Sequence, residues 1–217
     1  MSTLLLRLAA PLQAWGSESK FERRATGREP TKSGVIGLLA AALGRRRDEA
    51  LDDLASLKFG VRVDRPGQIV IDFHMAHSVK QSYVTRRHYL EDAVFVVGLE
   101  GDAELLCSLE TAVNAPFFPL FLGRRSCPPT GQICLGIRDL PLKDALLYEP
   151  FLVSRKKSEP TNITLTLDTD EVGFYRQRDL PTSFSQQHRK FAYRYIQTHT
   201  ETVFGKTEYD FFEGVEE

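Results

Sequence analysis

Between Met75 and Tyr89 the chain gathers His77, Lys80, Tyr83, His88 and Tyr89. These are the side-chain types that metal-free cleavage of RNA draws on, a base to take the proton of a 2′-hydroxyl and an acid for the leaving oxygen. The same residues also make a non-catalytic RNA clamp, because His and the adjacent Arg86-Arg87 bind phosphate while tyrosines stack bases. No acid interrupts the stretch from Met75 until Glu91. His74-x-x-His77 with His88 offers imidazoles for a metal, but neither carboxylate nor cysteine joins them at ligand spacing and His-Glu-x-x-His is missing. We therefore expect no metal and no cofactor, while cleavage and clamping both stay open on these residues alone.

Two further loops are basic, Gly123-Arg124-Arg125-Ser126-Cys127-Pro128-Pro129 and Arg155-Lys156-Lys157. Gly and Pro fix the first as a turn, and an arginine pair held there suits bidentate contact with phosphate. Cys127 beside two cations has a route to a depressed pKa, yet no nucleophile motif surrounds it, and a small residue in a turn is the simpler account. A loop from Pro11 to Glu29 interleaves Trp15 and Phe21 with Lys20, Arg23, Arg24 and Arg28. Trp15 there either stacks a base or lids the core.

These groups need a scaffold, and its centre is Pro30 to Arg47, which reads as one short helix. Ser33 is the expected N-cap, Lys32 and Gly34 leave the first turn open to an anion, and Gly44 stands where a left-handed C-terminal cap belongs. Val35, Ile36, Leu38, Leu39 and Leu43 supply the apolar stripe; Gly34 and Gly37 imply close backbone approach. The Walker phosphate loop is absent.

Thr3–Ala9 predicts a central strand, Asp48–Leu57 a helix, and Lys58–Asp64 with Gln68–His74 a hairpin around Arg65-Pro66-Gly67. Ala93–Leu99 follows as a strand and Asp102–Ala115 as an amphipathic helix, with a strand near Phe118–Leu122 to complete a split β-α-β pattern. From Pro150 onward come short alternating segments, 151–154, 162–167, 172–176 and 191–196. The expected class is α+β, a ferredoxin-like (RRM-like) domain over 1–150 with an exposed insertion at about 75–90, then a smaller β-rich part over 151–217.

The net charge of −1 over 217 residues argues against a uniformly basic binder, but the distribution is uneven. Residues 1–47 carry nine Lys/Arg against three Glu, a net +6, while the last eighteen carry six acids against Lys206. With 42% hydrophobic residues a sizeable core is expected. Three cysteines without Cys-x-x-Cys fit reduced thiols, and no apolar run reaches membrane-span length, so a cytoplasmic protein is expected.

Leu4-Leu5-Leu6-Arg7-Leu8-Ala9 leading into Pro11-Leu12-Gln13-Ala14-Trp15-Gly16, then Pro30-Thr31-Lys32-Ser33-Gly34 with Gly37-Leu38-Leu39, resembles the fifth family of CRISPR-associated proteins in its type I-E form. Leu122–Pro128 and Leu147-Tyr148-Glu149-Pro150 continue the likeness. The resemblance implies an RRM-like fold with a projecting thumb, for which Met75–Tyr89 is short. It also implies a cap on the 5′ handle of crRNA at one end of the Cascade complex, beside its backbone and large subunits, with target DNA met only through the complex. In type I-E systems cleavage belongs to another subunit, whereas type I-C relatives process repeat RNA with a Tyr/His/Lys centre, which is the alternative here. Lys32, Ser33, Arg86, Arg87, Arg124 and Arg125 are the phosphate candidates, Trp15 and Tyr89 the stacking candidates, and Gln13 a base-edge or backbone partner.

Overall fold

The computed structural model describes residues 1–16, 19–20, 23–77, 82–153 and 160–204. Phe21, Lys80, the Arg155-Lys156-Lys157 loop and the acidic residues from Glu208 onward lie outside them. β1 (Ser2–Ala9) is buried on both faces: Leu4, Leu6 and Leu8 enter one core, Leu5 and Ala9 another. That double burial is why its sequence is a leucine run rather than an alternation. Short β2 (Leu12–Gln13), β3 (Ser19–Lys20) and β4 (Arg23–Arg24) follow, then α1 (Lys32–Ala42) and the single turn α2 (Asp52–Ala55).

α1 begins two residues earlier than an N-cap at Ser33 predicts. Thr31 is the N-cap, in extended conformation, and its Oγ1 accepts from Gly34 N at 3.2 Å. Ser33 lies inside the first turn. The helix stops at Ala42, and Gly44 takes the left-handed conformation (φ +76°) expected of it. Phe117 and Phe118 donate their backbone N–H groups to the last carbonyls of α1, Ala42 and Ala41, so Phe118–Leu122 caps a helix instead of forming the predicted strand. Pro116 and Pro119 suit that irregular path.

β5 (Lys58–Arg65) and β6 (Gln68–His77) do not form the predicted hairpin. β5 pairs with β8 (Val94–Gly101), while β6 pairs over ten residues with β7 (Ser82–Glu91). Burial separates them: β5 is almost wholly buried, whereas β6 exposes Ile69, Ile71, Phe73 and Met75. The projecting hairpin is thus Gln68–Glu91.

α3 (Ala103–Asn114) matches its prediction, capped by Asp102, whose carboxylate accepts from the N–H groups of Glu104 and Leu105. β9 (Cys134–Arg138), α4 (Leu142–Tyr148), β10 (Pro160–Thr169), β11 (Tyr175–Ser183) and β12 (Lys190–Phe204) complete the chain. Seven strands form one antiparallel sheet in the order β11-β12-β10-β5-β8-β1-β9, and β2, β7, β4 and β3 form a second with β6 on β7. The architecture is mixed α/β, mostly antiparallel sheet with few helices. α1 and α3 cover one face of the large sheet and α4 the other.

Two buried ionic clusters tie the later elements to this frame, one the C-terminal strands and one the end of α4. Arg194 donates from Nε and Nη2 to Asp179 at 2.6 and 2.9 Å and from Nη1 to Asp168. Asp179 also accepts from Lys32 N at 2.8 Å, and Asp168 from Lys32 Nζ and Phe59 N, both at 3.0 Å. On the opposite face Arg62, 1% exposed, pairs with Asp64 and donates to the carbonyls of Leu146, Glu149 and Pro150, holding the C-terminal end of α4.

Burial pushes the Glu29 carboxyl above its ordinary value, against the hydrogen bond with Thr166 and the charge of Arg194. Ionising it in the folded state therefore costs more than in the unfolded chain, so its contribution to stability falls as pH rises above about 4.5. Glu29→Gln is expected to raise the melting temperature at pH 7 and to leave it unchanged near pH 4, measured by thermal unfolding at both.

Candidate nucleic-acid interface

The arginine loop is held at the foot of the hairpin by a glycine. Gly123 has φ +90°, and a Cβ there would lie 1.7 Å from the carbonyl oxygen of Ala14. Gly123→Ala is expected to cost about 2–3 kcal/mol in a denaturant titration, because both backbone and side chain would be displaced. Leu122 accepts from Ala14 N and donates to Cys127, closing the loop on the segment before it.

Arg124 is spent on this scaffold. It donates from Nη1 to His88 O at 3.1 Å and from Nη2 to Arg24 O at 2.8 Å, with its guanidinium 4.6 Å from the centre of the Tyr89 ring. Tyr89 is 3% exposed and shares a hydrogen bond with Ser126. Burial pushes its phenol up, but Ser126, Arg124 and Arg87 outweigh that and hold it below its ordinary value. Cys127 is 1% exposed and burial raises its thiol, which fits a small residue packed in a turn. Arg87 sits opposite Asp72 and beside Arg24 in register, and its Nε is buried without a hydrogen-bond partner. Arg86 is exposed and lies over Phe73 at 5.8 Å.

Three predicted contact residues are structural. Gln13 is fully buried, donates to Ala93 O at 2.7 Å and to Leu8 O, and accepts from the indole N–H of Trp15 at 2.9 Å. Trp15, 1% exposed, lids the core and packs so tightly on Gly34 that a Cβ there would meet its ring at 2.9 Å. Lys32 is 4% exposed, with its ammonium on Leu57 O at 2.6 Å and on Asp168. An ammonium so enclosed is withdrawn from solvent phosphate.

Ser33 and Arg125, by contrast, meet in one cleft of about 900 Å³. Its floor is the small-residue face of α1, Ser33, Gly34, Gly37, Ala40 and Ala41, where side chains leave the backbone approachable. Around it stand five arginines, Arg45, Arg46, Arg47, Arg125 and Arg189, and the aromatic rings of Phe118, Phe121 and Phe184. No Asp or Glu lines it. Arg45 is bound to Asp53, but Arg46, Arg47 and Arg189 are exposed. Partial burial and the charge of Arg47 hold Arg189 below its ordinary value, as expected of cations crowded without a counter-ion. The run Arg45-Arg46-Arg47 was visible as charge in the sequence; Arg189, from the β11–β12 connection far along the chain, had only its neighbour Lys190 to mark it.

The hairpin disperses the residues that a nuclease would have to gather. His77 lies opposite Ser82 and His88 opposite Ile71, so six residues of β7, about 20 Å of strand, separate the two levels. His74 and His77, three apart on a strand, point to opposite faces. Among the described residues no group of three His, Cys, Asp or Glu is placed to hold a metal.

The family described as CRISPR-associated protein (Cas_Cas5) matches residues 3–197. This chain belongs to the Cas5 family. The Escherichia coli (strain K12) protein named CRISPR system Cascade subunit CasD is 38% identical to this chain over 177 residues that make up 69% of this chain and 78% of that one. A solved structure titled Crystal structure of Cas protein superimposes with a TM-score of 0.75 at 43% identity, covering 91% of this chain and 94% of the other. A chain of a solved CRISPR RNA-guided surveillance complex superimposes with a TM-score of 0.80 at 32% identity, covering 93% and 90%. The Cas5 match spans the cleft, the hairpin and the first half of β12. No helix among the described residues is long and apolar enough to cross a membrane.

Proposed function

We propose that this chain is the crRNA-binding subunit of a Cascade surveillance complex, a non-catalytic cap that holds the 5′ handle of the guide. The acid-free arginine cleft carries the proposal. Five guanidiniums around an approachable helix backbone, with aromatic rings at the wall, suit a bent single strand whose phosphates are neutralised and whose bases are stacked. The naming of one relative as a Cascade subunit, and of another as part of an RNA-guided surveillance complex, supports the same reading.

In this proposal β1-α1-β5 and β8-α3-β9, with the sheet order β5-β8-β1-β9, are a ferredoxin-like (RRM-like) platform within residues 1–150. Residues 68–91 are its thumb, and 151–217 are the β-rich C-terminal part. Arg86 and Arg87 take phosphates at the thumb. The exposed stripe Ile71, Phe73, Met75 and Val84 meets the neighbouring backbone subunit, and another face meets the large subunit. The site of action is the cytoplasm, and target DNA is reached through the assembled complex.

The test is a titration of purified protein with RNA carrying the repeat-derived 5′ handle against a shuffled control, at several salt concentrations without metal, followed by a denaturing gel. Handle preference with intact RNA is the expected result. Cutting at one site would replace the proposal with a metal-independent endoribonuclease, and equal binding of both RNAs, with partner subunits present, would sink it.

A further inference from the structure

The outer hairpin of the large sheet, β11 with β12, carries a set of side chains that neither the core nor the cleft uses. Along β12, Ala192, Arg194 and Ile196 turn inward, and by strand alternation Phe191, Tyr193 and Tyr195 share the other face. Arg176 of β11 sits opposite Tyr195 in register. Its guanidinium lies 4.5 Å from the centre of the Tyr193 ring and 5.8 Å from that of Tyr195, and Arg178 lies 5.9 Å from Tyr193. Tyr193 is 53% exposed, and both arginines are exposed. Among the described residues neither Arg176 nor Arg178 forms an ion pair. Packing does not require this arrangement, because an exposed Tyr between two exposed cations buries little area.

The set is joined to the cleft. Arg189 lines the cleft and lies over Phe191 at 5.0 Å, and Phe191 meets Phe184 of the cleft wall edge-on at 6.4 Å between centres. Cations and rings therefore continue from the cleft, past the end of the hairpin, onto the face of β12 that bears Tyr193. Guanidiniums held over aromatic rings are fixed in place; Arg178 spends its Nε on Phe191 O at 3.5 Å, which leaves its Nη groups and the guanidinium of Arg176 for phosphate, and the exposed ring edges remain for a base.

We infer that the β11–β12 face, with Arg176, Arg178, Tyr193 and Tyr195, is a second binding track for an unpaired polynucleotide strand, continuous with the cleft at Arg189. The alternating cations and aromatics favour a flexible phosphodiester chain over a protein surface, which would be expected to supply carboxylates at fixed points. The ligand class is single-stranded RNA or DNA without sequence preference, since phosphates and ring faces are common to both. The track is separate from handle recognition, and its test is separable from it.

Full-length protein is titrated by fluorescence anisotropy with three labelled probes: the handle alone, the handle extended by non-handle RNA, and an unrelated single-stranded DNA. Arg176→Ala with Arg178→Ala is expected to weaken the extended RNA and the DNA about tenfold and to lower the salt slope by about 1.4, two phosphate contacts at about 0.7 each. The handle alone is expected to bind as in the parent. Tyr193→Ala should weaken the strands further while Tyr193→Phe retains them, which a merely structural role of the hydroxyl would not produce. Unchanged melting temperatures guard against misfolding. A loss confined to RNA or to DNA upholds the track and identifies its source. Parent-like binding of both strands by the double variant overturns it, as does a defect seen only in assembly with partner proteins. Failure of handle preference leaves the strand arms readable, so the two proposals fall independently.

Discussion

Asp179→Ala is expected to destabilise the protein by about 3–5 kcal/mol, because it strands the Arg194 guanidinium, itself 8% exposed, without its two-bonded partner. It also removes the acceptor of Lys32 N at the first turn of α1. The effect should reach the cleft, since Asp179 fastens β11 and β12, and with them Phe184 and Arg189, to the helix that forms the cleft floor. Urea unfolding monitored by the single tryptophan, buried against α1, measures the first effect, and handle titration at a temperature where the variant stays folded measures the second. Asp179→Asn keeps one acceptor oxygen and should fall between the two. A loss below about 1 kcal/mol would mean that the cluster is not the fastening of the C-terminal strands.

Arg125→Glu combined with Arg189→Glu is expected to weaken handle binding at least about a hundredfold at moderate salt and to lower the salt slope by about 1.4. Stability should move the other way or not at all. Arg189 is held below its ordinary value by partial burial and by Arg47, so an acid at 189 exchanges a repulsion for an attraction. Lys32→Ala supplies the contrast, because its ammonium is bound inside the fold to Asp168 and Leu57 O, and its removal should cost stability with little specific change in affinity. Handle affinity that survives the double reversal would move the handle away from the cleft.

The local elements that depend on neighbouring residues were legible in the sequence. β1, β8, α3 with its Asp102 cap and the left-handed Gly44 all follow from apolar periodicity and from turn chemistry. The errors share one cause. Phe118–Leu122 has the composition of a strand but caps α1, and Gln68–His77 has the composition of a partner for β5 but leaves the sheet to pair with β7. The partner of Phe118 lies far back in the chain, whereas β6 takes the next strand while β5 is claimed by β8, and composition does not say which partner wins. Ser33 lost the cap position to Thr31 because Thr31 alone is extended beside the free N–H of Gly34.

The candidate residues divide along the same line. That arginines in Gly- and Pro-bounded loops would face an anion, and that the family likeness concentrates around α1 and the Gly123 loop, was contained in the sequence itself, because residue type and local turn geometry are local properties. Which cations stay free was not. Lys32 and Arg124 have the same chemistry as Arg125 and Arg189, yet the first two are enclosed by Asp168, Leu57 O, His88 O and Arg24 O while the latter two open into one cleft. That choice is made by groups 25 to 136 residues away in the chain, on β4, β7, β10 and the segment before β5, which only the tertiary fold brings to the spot.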